Sequence, residues 1–113
     1  MHEVGIMSEA VRLAEETARA HGNRRIATLG LRVGTLSGAV PDALRFAFEA
    51  VTQGTLAEGA SLTIEAVPAR WWCPSCTTEF ADDDALSSCP HCQRHSGELR
   101  TGRELELATL ELI

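Results

Sequence analysis

Two tight turns, Cys73-Pro-Ser-Cys76 and Cys89-Pro-His-Cys92, stand twelve residues apart in a chain of 113 residues. Each C-x2-C turn holds two thiolates close together, and two such turns can close a tetrahedron of sulfur around one ion. Tetrahedral sulfur coordination favours zinc, and a full four-thiolate shell leaves no place for a reactive water, which makes the metal structural. The competing readings are a pair of disulfides, which needs an oxidising compartment, and a thioredoxin-like dithiol, which lacks its strand–helix surroundings. The spacing does not match the ferredoxin iron–sulfur patterns. His91 and His95 fall in the same stretch and read as exposed or supporting imidazoles; His95, at C-x2-H from Cys92, has the alternative of replacing a thiolate. Asp82-Asp83-Asp84 reads as a solvated turn, because a calcium loop needs a different ligand pattern. Trp71 and Trp72 adjoin the first turn and read as packing for a module too poor in apolar residues to fold without its metal.

The second chemical feature is Met1-His2-Glu3. Methionine before a large residue is generally retained, so an α-amine, the His2 amide nitrogen and the His2 imidazole can form adjacent chelate rings. Nitrogen-rich, near-planar coordination suits Ni(II) or Cu(II) better than zinc. A histidine at position 2 is weak support by itself, since most such side chains are simply exposed. Glu3 is a candidate carboxylate partner, although an acid in the first turn of a helix also answers the helix dipole.

These groups need a scaffold. Val4, Met7, Val11, Ala14 and Ala18 recur at helical spacing, predicting an amphipathic helix from Val4 to Ala20, with Glu15 and Arg19 paired on its outer face and Gly22 as its stop. Leu29, Leu31 and Val33 alternate with Thr28, Gly30 and Arg32, predicting a strand over Arg25–Gly34. Pro41 opens a second helix running to about Gln53 before Gly54, and Ser61–Val67 reads as a second strand. A strand, a helix and a strand in that order predict a parallel pair with a right-handed crossover. Residues 69–102 show little periodicity. Glu104–Ile113 resumes as a strand whose phase slips at Ala108-Thr109, predicting a bulge. The fold expected is α+β: a small three-stranded mixed sheet with two helices, plus an inserted zinc-ribbon-like domain. Its division is residues 1–68 with 103–113 for the main domain and 69–102 for the insertion.

Composition narrows the function. Ten Arg, no Lys and sixteen acids give a net charge of −6, which argues against nucleic acid and anionic membranes, both of which select clustered positive charge. No apolar run approaches the ~18 residues of a membrane span, and residues 1–20 do not resemble a signal peptide, so a cytoplasmic protein with reduced thiols is expected. No Ser/Cys–His–acid arrangement and no phosphate loop is present, so an enzyme is not expected.

Met1-His2-Glu3, Gly34-Thr-Leu-Ser-Gly38, Pro41-Asp-Ala-Leu-Arg-Phe-Ala-Phe-Glu49 and the two C-P-x-C turns, taken in order, resemble the HypA/HybF family of hydrogenase nickel-incorporation proteins. The resemblance covers essentially the whole chain. It implies a nickel metallochaperone with a nickel-binding domain and a zinc domain, delivering Ni(II) to the large subunit of [NiFe] hydrogenase together with the maturation GTPase HypB; some members also serve urease. It implies nickel at Met1, His2 and Glu3, with His2 indispensable, and zinc at Cys73, Cys76, Cys89 and Cys92. Many members carry an acid just before the proline of the second helix. This chain has Val40 there, with Asp42 the nearest acid, and neither is counted in the site. The alternative function is a zinc-ribbon adaptor that binds a protein partner without transferring nickel.

Overall fold

The computed structural model describes residues 3–82 and 87–113. Its elements are helix α1 (Glu3–Ala20), strand β1 (Ile26–Gly34), helix α2 (Pro41–Val51), β2 (Ser61–Val67), β3 (Arg70–Cys73), β4 (Thr78–Ala81), β5 (Leu99–Thr101) and β6 (Leu105–Leu112). They form two three-stranded sheets, ordered β2-β1-β6 and β4-β3-β5.

In the first sheet β1 is central, parallel to β2 and antiparallel to β6. Alternation along β1 sends Leu29, Leu31 and Val33 into a core completed by Met7, Val11, Ala14 and Ala18 of α1 and by Leu44, Ala47 and Phe48 of α2. On the polar face, Arg32 stands between Glu65 and Glu106, 3.4 Å from each carboxylate; its Nε has no hydrogen-bond geometry there, and such exposed pairs contribute little. Gly30 has a steric reason. A Cβ there would lie 2.1 Å from Thr109 Oγ1 and 3.0 Å from Thr63 Oγ1, the side chains of its two cross-strand partners.

The phase slip in the last strand is a bulge. Gly30 pairs with Thr109 and Leu31 with Leu107, leaving Ala108 as the extra residue. A second irregularity, between Ile26 and Thr28, left no mark in the alternation. Helix α2 ends at Val51, two residues short of expectation. The Thr52 hydroxyl donates to Phe48 O at 2.7 Å, and Thr52 O then accepts the Thr55 amide, which turns the chain away from the helix axis. Arg19 and Glu15 form the expected pair at 3.2 Å, and Glu15 also accepts the Leu56 amide, fastening α1 to that turn.

Residues 69–102, where the sequence shows little periodicity, contain the whole second sheet. Its strands have only three or four residues, so each face carries one or two side chains and no alternation can develop. Trp71 of β3 pairs with Phe80 on one side and Leu99 on the other. This row packs with Cys73, Cys89 and Leu36 into a second apolar cluster.

The chain passes between the sheets at residues 67–70 and 101–105, and the end of β1 is wedged between the two passes. Thr35 N donates to Val67 O, Leu36 N to Gly102 O and Gly34 N to Glu104 O, at 3.0, 2.8 and 2.7 Å. The approach is so close that a Cβ on Gly34 would fall 2.0 Å from Gly102 O. Gly102 itself has φ +123° and leaves no room for a Cβ beside Ala69.

Candidate metal centres

The two cysteine turns share one backbone design. In the first, Cys73 pairs with Thr78 across the β3–β4 turn, and Thr77 adopts φ +52°. In the second, Cys89 N donates to Arg94 O at 2.9 Å, Gln93 N donates back to Cys89 O at 2.7 Å, and Gln93 adopts φ +63°. Each is therefore a hairpin of the form C-P-x-C-x-x with a left-handed residue after its second cysteine. A bridge between Ser88 and His95 prolongs the second hairpin.

Two serines that the sequence did not single out brace the second hairpin, and one of them, Ser96, fastens it to the first. Ser87 and Ser96 are buried; the Ser87 hydroxyl donates to Ser96 O, and the Ser96 hydroxyl donates to Trp72 O in the strand leading to Cys73. The Ser96 oxygen also accepts the Glu98 amide, while Trp72 N donates to Glu98 O. A small hydroxyl can satisfy a buried carbonyl without filling space, but nothing in the sequence separates these serines from ordinary loop residues.

The result is a cluster in which all four cysteine sulfurs lie within 4.8 Å of one another. Cys73 Sγ and Cys92 Sγ are 3.6 Å apart, and Cys76 Sγ and Cys89 Sγ 3.9 Å. A tetrahedron with zinc–sulfur bonds of about 2.3 Å has edges of about 3.8 Å. The four thiols are free, so the disulfide reading is not realised. Cys73 and Cys89 are buried and the other two half-buried, so the donor set fits a closed four-coordinate ion.

Crowding splits the thiols electrostatically. The backbone amide of Cys92, aided by that of His91, points at Cys89 Sγ and pulls that thiol down to about 6 against the effect of burial. Cys76 is pushed up to about 12, first by its hydrogen bond with Cys92, then by burial and by Cys73. Four thiolates cannot share so small a volume unless a cation offsets their charge, which is what a divalent metal does.

The neighbouring candidates take supporting places. His91 and His95 are exposed, and among the described residues neither joins the sulfur cluster; His95 Nδ1 lies 3.2 Å from Ser88 Oγ. Asp82 accepts the Trp71 indole N–H on its carbonyl and the Ser88 amide on its carboxylate; Asp83 and Asp84 lie outside the described residues. Trp71 is buried, and Trp72 is half-buried beneath the Arg100 guanidinium, 4.9 Å from the ring centre.

Of the N-terminal candidates, Met1 and His2 lie outside the described residues, and Glu3 is the first residue of α1. Glu3 Oε2 accepts the Val40 amide at 3.2 Å. Val40 is the N-cap of α2 and has no side chain able to cap it. A carboxylate from another helix thus serves a donor at the α2 N-terminus, where its negative charge also meets the positive end of the dipole. Val40 therefore touches the predicted site through its backbone, which no inspection of side-chain types reveals.

Residues 1–112 match the family model described as hydrogenase/urease nickel incorporation, metallochaperone, HypA. The chain is 46% identical to hydrogenase maturation factor HypA of Picosynechococcus sp. over 113 residues, covering all of both chains. It is 44% identical to the protein of that name from Chloroflexus aggregans over 112 residues, 98% of each. Its fold matches a solution structure of HypA protein with a TM-score of 0.71 and 25% identity, covering 100% of this chain and 97% of that one. The solution structure of the Ni metallochaperone HypA from Helicobacter pylori matches at TM-score 0.68 with 23% identity, covering 100% and 98%, and at that identity it speaks for the fold alone. The chain belongs to the HypA family, metallochaperones of hydrogenase and urease nickel incorporation and not enzymes.

Proposed function

We propose that this protein carries Ni(II) at Met1, His2 and Glu3 and delivers it to the large subunit of [NiFe] hydrogenase, with a structural Zn²⁺ held by Cys73, Cys76, Cys89 and Cys92. The observation that carries the reading is the family match over residues 1–112, which takes in Met1 and His2. The start of α1 adds support: Glu3, next in sequence to those nitrogen donors, is held by a hydrogen bond from the Val40 amide. The division of labour follows, with residues 1–68 and 103–113 forming the nickel-binding domain and 69–102 the zinc domain. The maturation GTPase HypB is the working partner, urease maturation proteins are further clients, and the cytoplasm is the site of action.

A carrier must capture nickel and then surrender it. An N-terminal chelate suits that demand because its ligands are local and open to exchange, whereas a closed thiolate cage is not. Protons compete with nickel for the amine and the imidazole, so affinity falls as pH drops through the imidazole range. The test is metal analysis of untagged protein, counting nickel and zinc separately, before and after His2→Ala. One zinc plus a nickel site lost in the variant is the expected result. Stoichiometric nickel in His2→Ala overturns the site, and zinc alone in the unaltered protein favours the adaptor.

A further inference from the structure

Strand β6 is an edge of its sheet, and among the described residues no strand pairs with its outer side. Its sequence, Leu-Glu-Leu-Ala-Thr-Leu-Glu-Leu over Leu105–Leu112, reads almost the same in both directions. Exposure follows the same symmetry. Leu105, Leu107, Leu110 and Leu112 are half-buried against the core, and the residues between them are exposed. The backbone follows it too. Glu104 O accepts the Gly34 amide and Ile113 N donates to Arg25 O, so both of these groups point towards β1. Counting alternately from each end, with Ala108 as the extra residue, the amides and carbonyls of the four leucines point outward. Beside this edge lies a hollow of about 700 Å³ between α1 and β6, lined chiefly by apolar side chains that include Ile6, Leu13 and Leu107. Leu13 is 41% exposed there.

This symmetry selects a second copy of β6 as the occupant. About a two-fold axis between Ala108 and Thr109, Leu105 falls opposite Leu112 of the other copy and Leu107 opposite Leu110. Each pair is matched both in the face it occupies and in the direction of its hydrogen-bonding groups. A regular strand on this edge leaves Ala108 over, as β1 does; a second β6 leaves nothing over, because the two slips meet. The charges along the edge balance, with Glu104, Glu106 and Glu111 against Arg24, Arg32 and Arg103. Glu106 comes opposite Glu111 of the other copy, an unfavourable pair, but Arg32 stands 3.4 Å from Glu106. Arg24, which donates to Leu112 O and Ile113 O, comes beside Glu104 of the other copy, and Leu112 O keeps a second lone pair for the incoming amide. On α1, Arg12 already holds Glu9 and Glu16. We propose that two copies of this chain pair antiparallel through β6, joining their three-stranded sheets into one and covering the hollow beside each α1 with the other copy's leucines. The pairing is independent of the nickel reading.

The test combines sedimentation equilibrium of the full-length, zinc-loaded chain with residue-resolved amide exchange. A concentration-dependent dimer is expected, in which the amides of Leu105, Leu107, Leu110 and Leu112 slow at least tenfold on association. Those of Glu106 and Glu111, already turned towards β1, should change less. Glu111→Arg sets a cation against Glu106 of the other copy and is expected to tighten the dimer at least threefold. Leu110→Pro removes an amide that β1 does not use and is expected to weaken the dimer at least tenfold, with zinc content and helicity retained. If Leu110→Pro loses helicity, the amide pattern and Glu111→Arg decide. A monomer up to about 1 mM overturns the proposal, including one whose leucine amides slow only when purified HypB is added. So do a dimer whose four leucine amides exchange as in the monomer, a Glu111→Arg dimer no tighter than that of the unaltered chain, and a folded Leu110→Pro chain that dimerises undiminished.

Discussion

The cysteine cluster and the start of α1 are built on opposite plans. The cluster takes four donors from two hairpins of the same design, backs them with Trp71, Phe80 and Leu99, and ties the hairpins together through Ser96. Glu3 stands at the N-terminal end of α1 beside the exposed Val4 and Val40, held across to α2 by a hydrogen bond to a backbone amide. A preorganised, closed donor set holds a metal as part of the fold. Donors at an exposed end can let one go. The contrast gives physical sense to the proposed pairing of a resident metal with a cargo metal, and it can be broken at either end.

The largest effect is expected from Cys73→Ser or from chelation. The second sheet has strands of three and four residues and a small apolar cluster, so its order depends on the ion. Both Trp residues are in it, and the chain has no Tyr. Intrinsic fluorescence therefore reports this sheet, while the helical circular dichroism of α1 and α2 reports the other. A red-shifted emission with helicity retained is the expected outcome; an unshifted emission after complete metal removal would show that the second sheet stands without its ion. Reloading tests the charge argument as well. Cysteine thiols released from the cluster hold their protons at neutral pH, free Cys titrating at about 8.5, and must lose them on coordination. Metal uptake should release protons, and apparent affinity should rise with pH through neutrality. Calorimetry in buffers of different ionisation enthalpy measures this, and uptake without proton release contradicts it.

Gly34→Ala comes next. Its Cβ has no room beside Gly102 O, and overpacking of this kind costs about 1–3 kcal/mol. The position should matter to both regions, because the loop it starts places Leu36 against the Trp71 cluster and ends at Val40, beside Glu3. A lower thermal midpoint together with altered Trp emission is expected. A midpoint within half a degree of the unaltered protein would mean that the junction yields without cost.

Chemistry carried by residue type and spacing was legible in the sequence. The C-x2-C pairs specify a cluster because each turn is local, and the two helices, the mixed sheet and the Ala108 bulge follow from periodicities long enough to register. Features made by backbone atoms were not legible. Trp71 pairs with Phe80 and Leu99 through strands too short to alternate. Gly34 is required by the backbone of Gly102, a residue about 70 positions away. Val40, set aside for want of a ligating side chain, contributes its amide.

That amide gives the smallest and most discriminating prediction. If Glu3 acts on α2 as a cap, Glu3→Ala should cost about 0.5–2 kcal/mol. Glu3→Gln, which keeps an acceptor and loses the charge, should cost only the dipole contribution of about 0.3–1 kcal/mol. Val40→Ser would give α2 a cap of its own, so in a double-mutant cycle it should make Glu3→Ala cheaper. Stability and nickel affinity then separate two roles for one carboxylate. If Glu3 only positions the N-terminus, Val40→Ser should restore stability and nickel binding together in the Glu3→Ala background. If the carboxylate also binds the metal, stability should return and nickel affinity should not. Strict additivity of Glu3→Ala and Val40→Ser in thermal unfolding would remove the capping role, and with it the contrast between a firmly built cluster and a lightly tethered end.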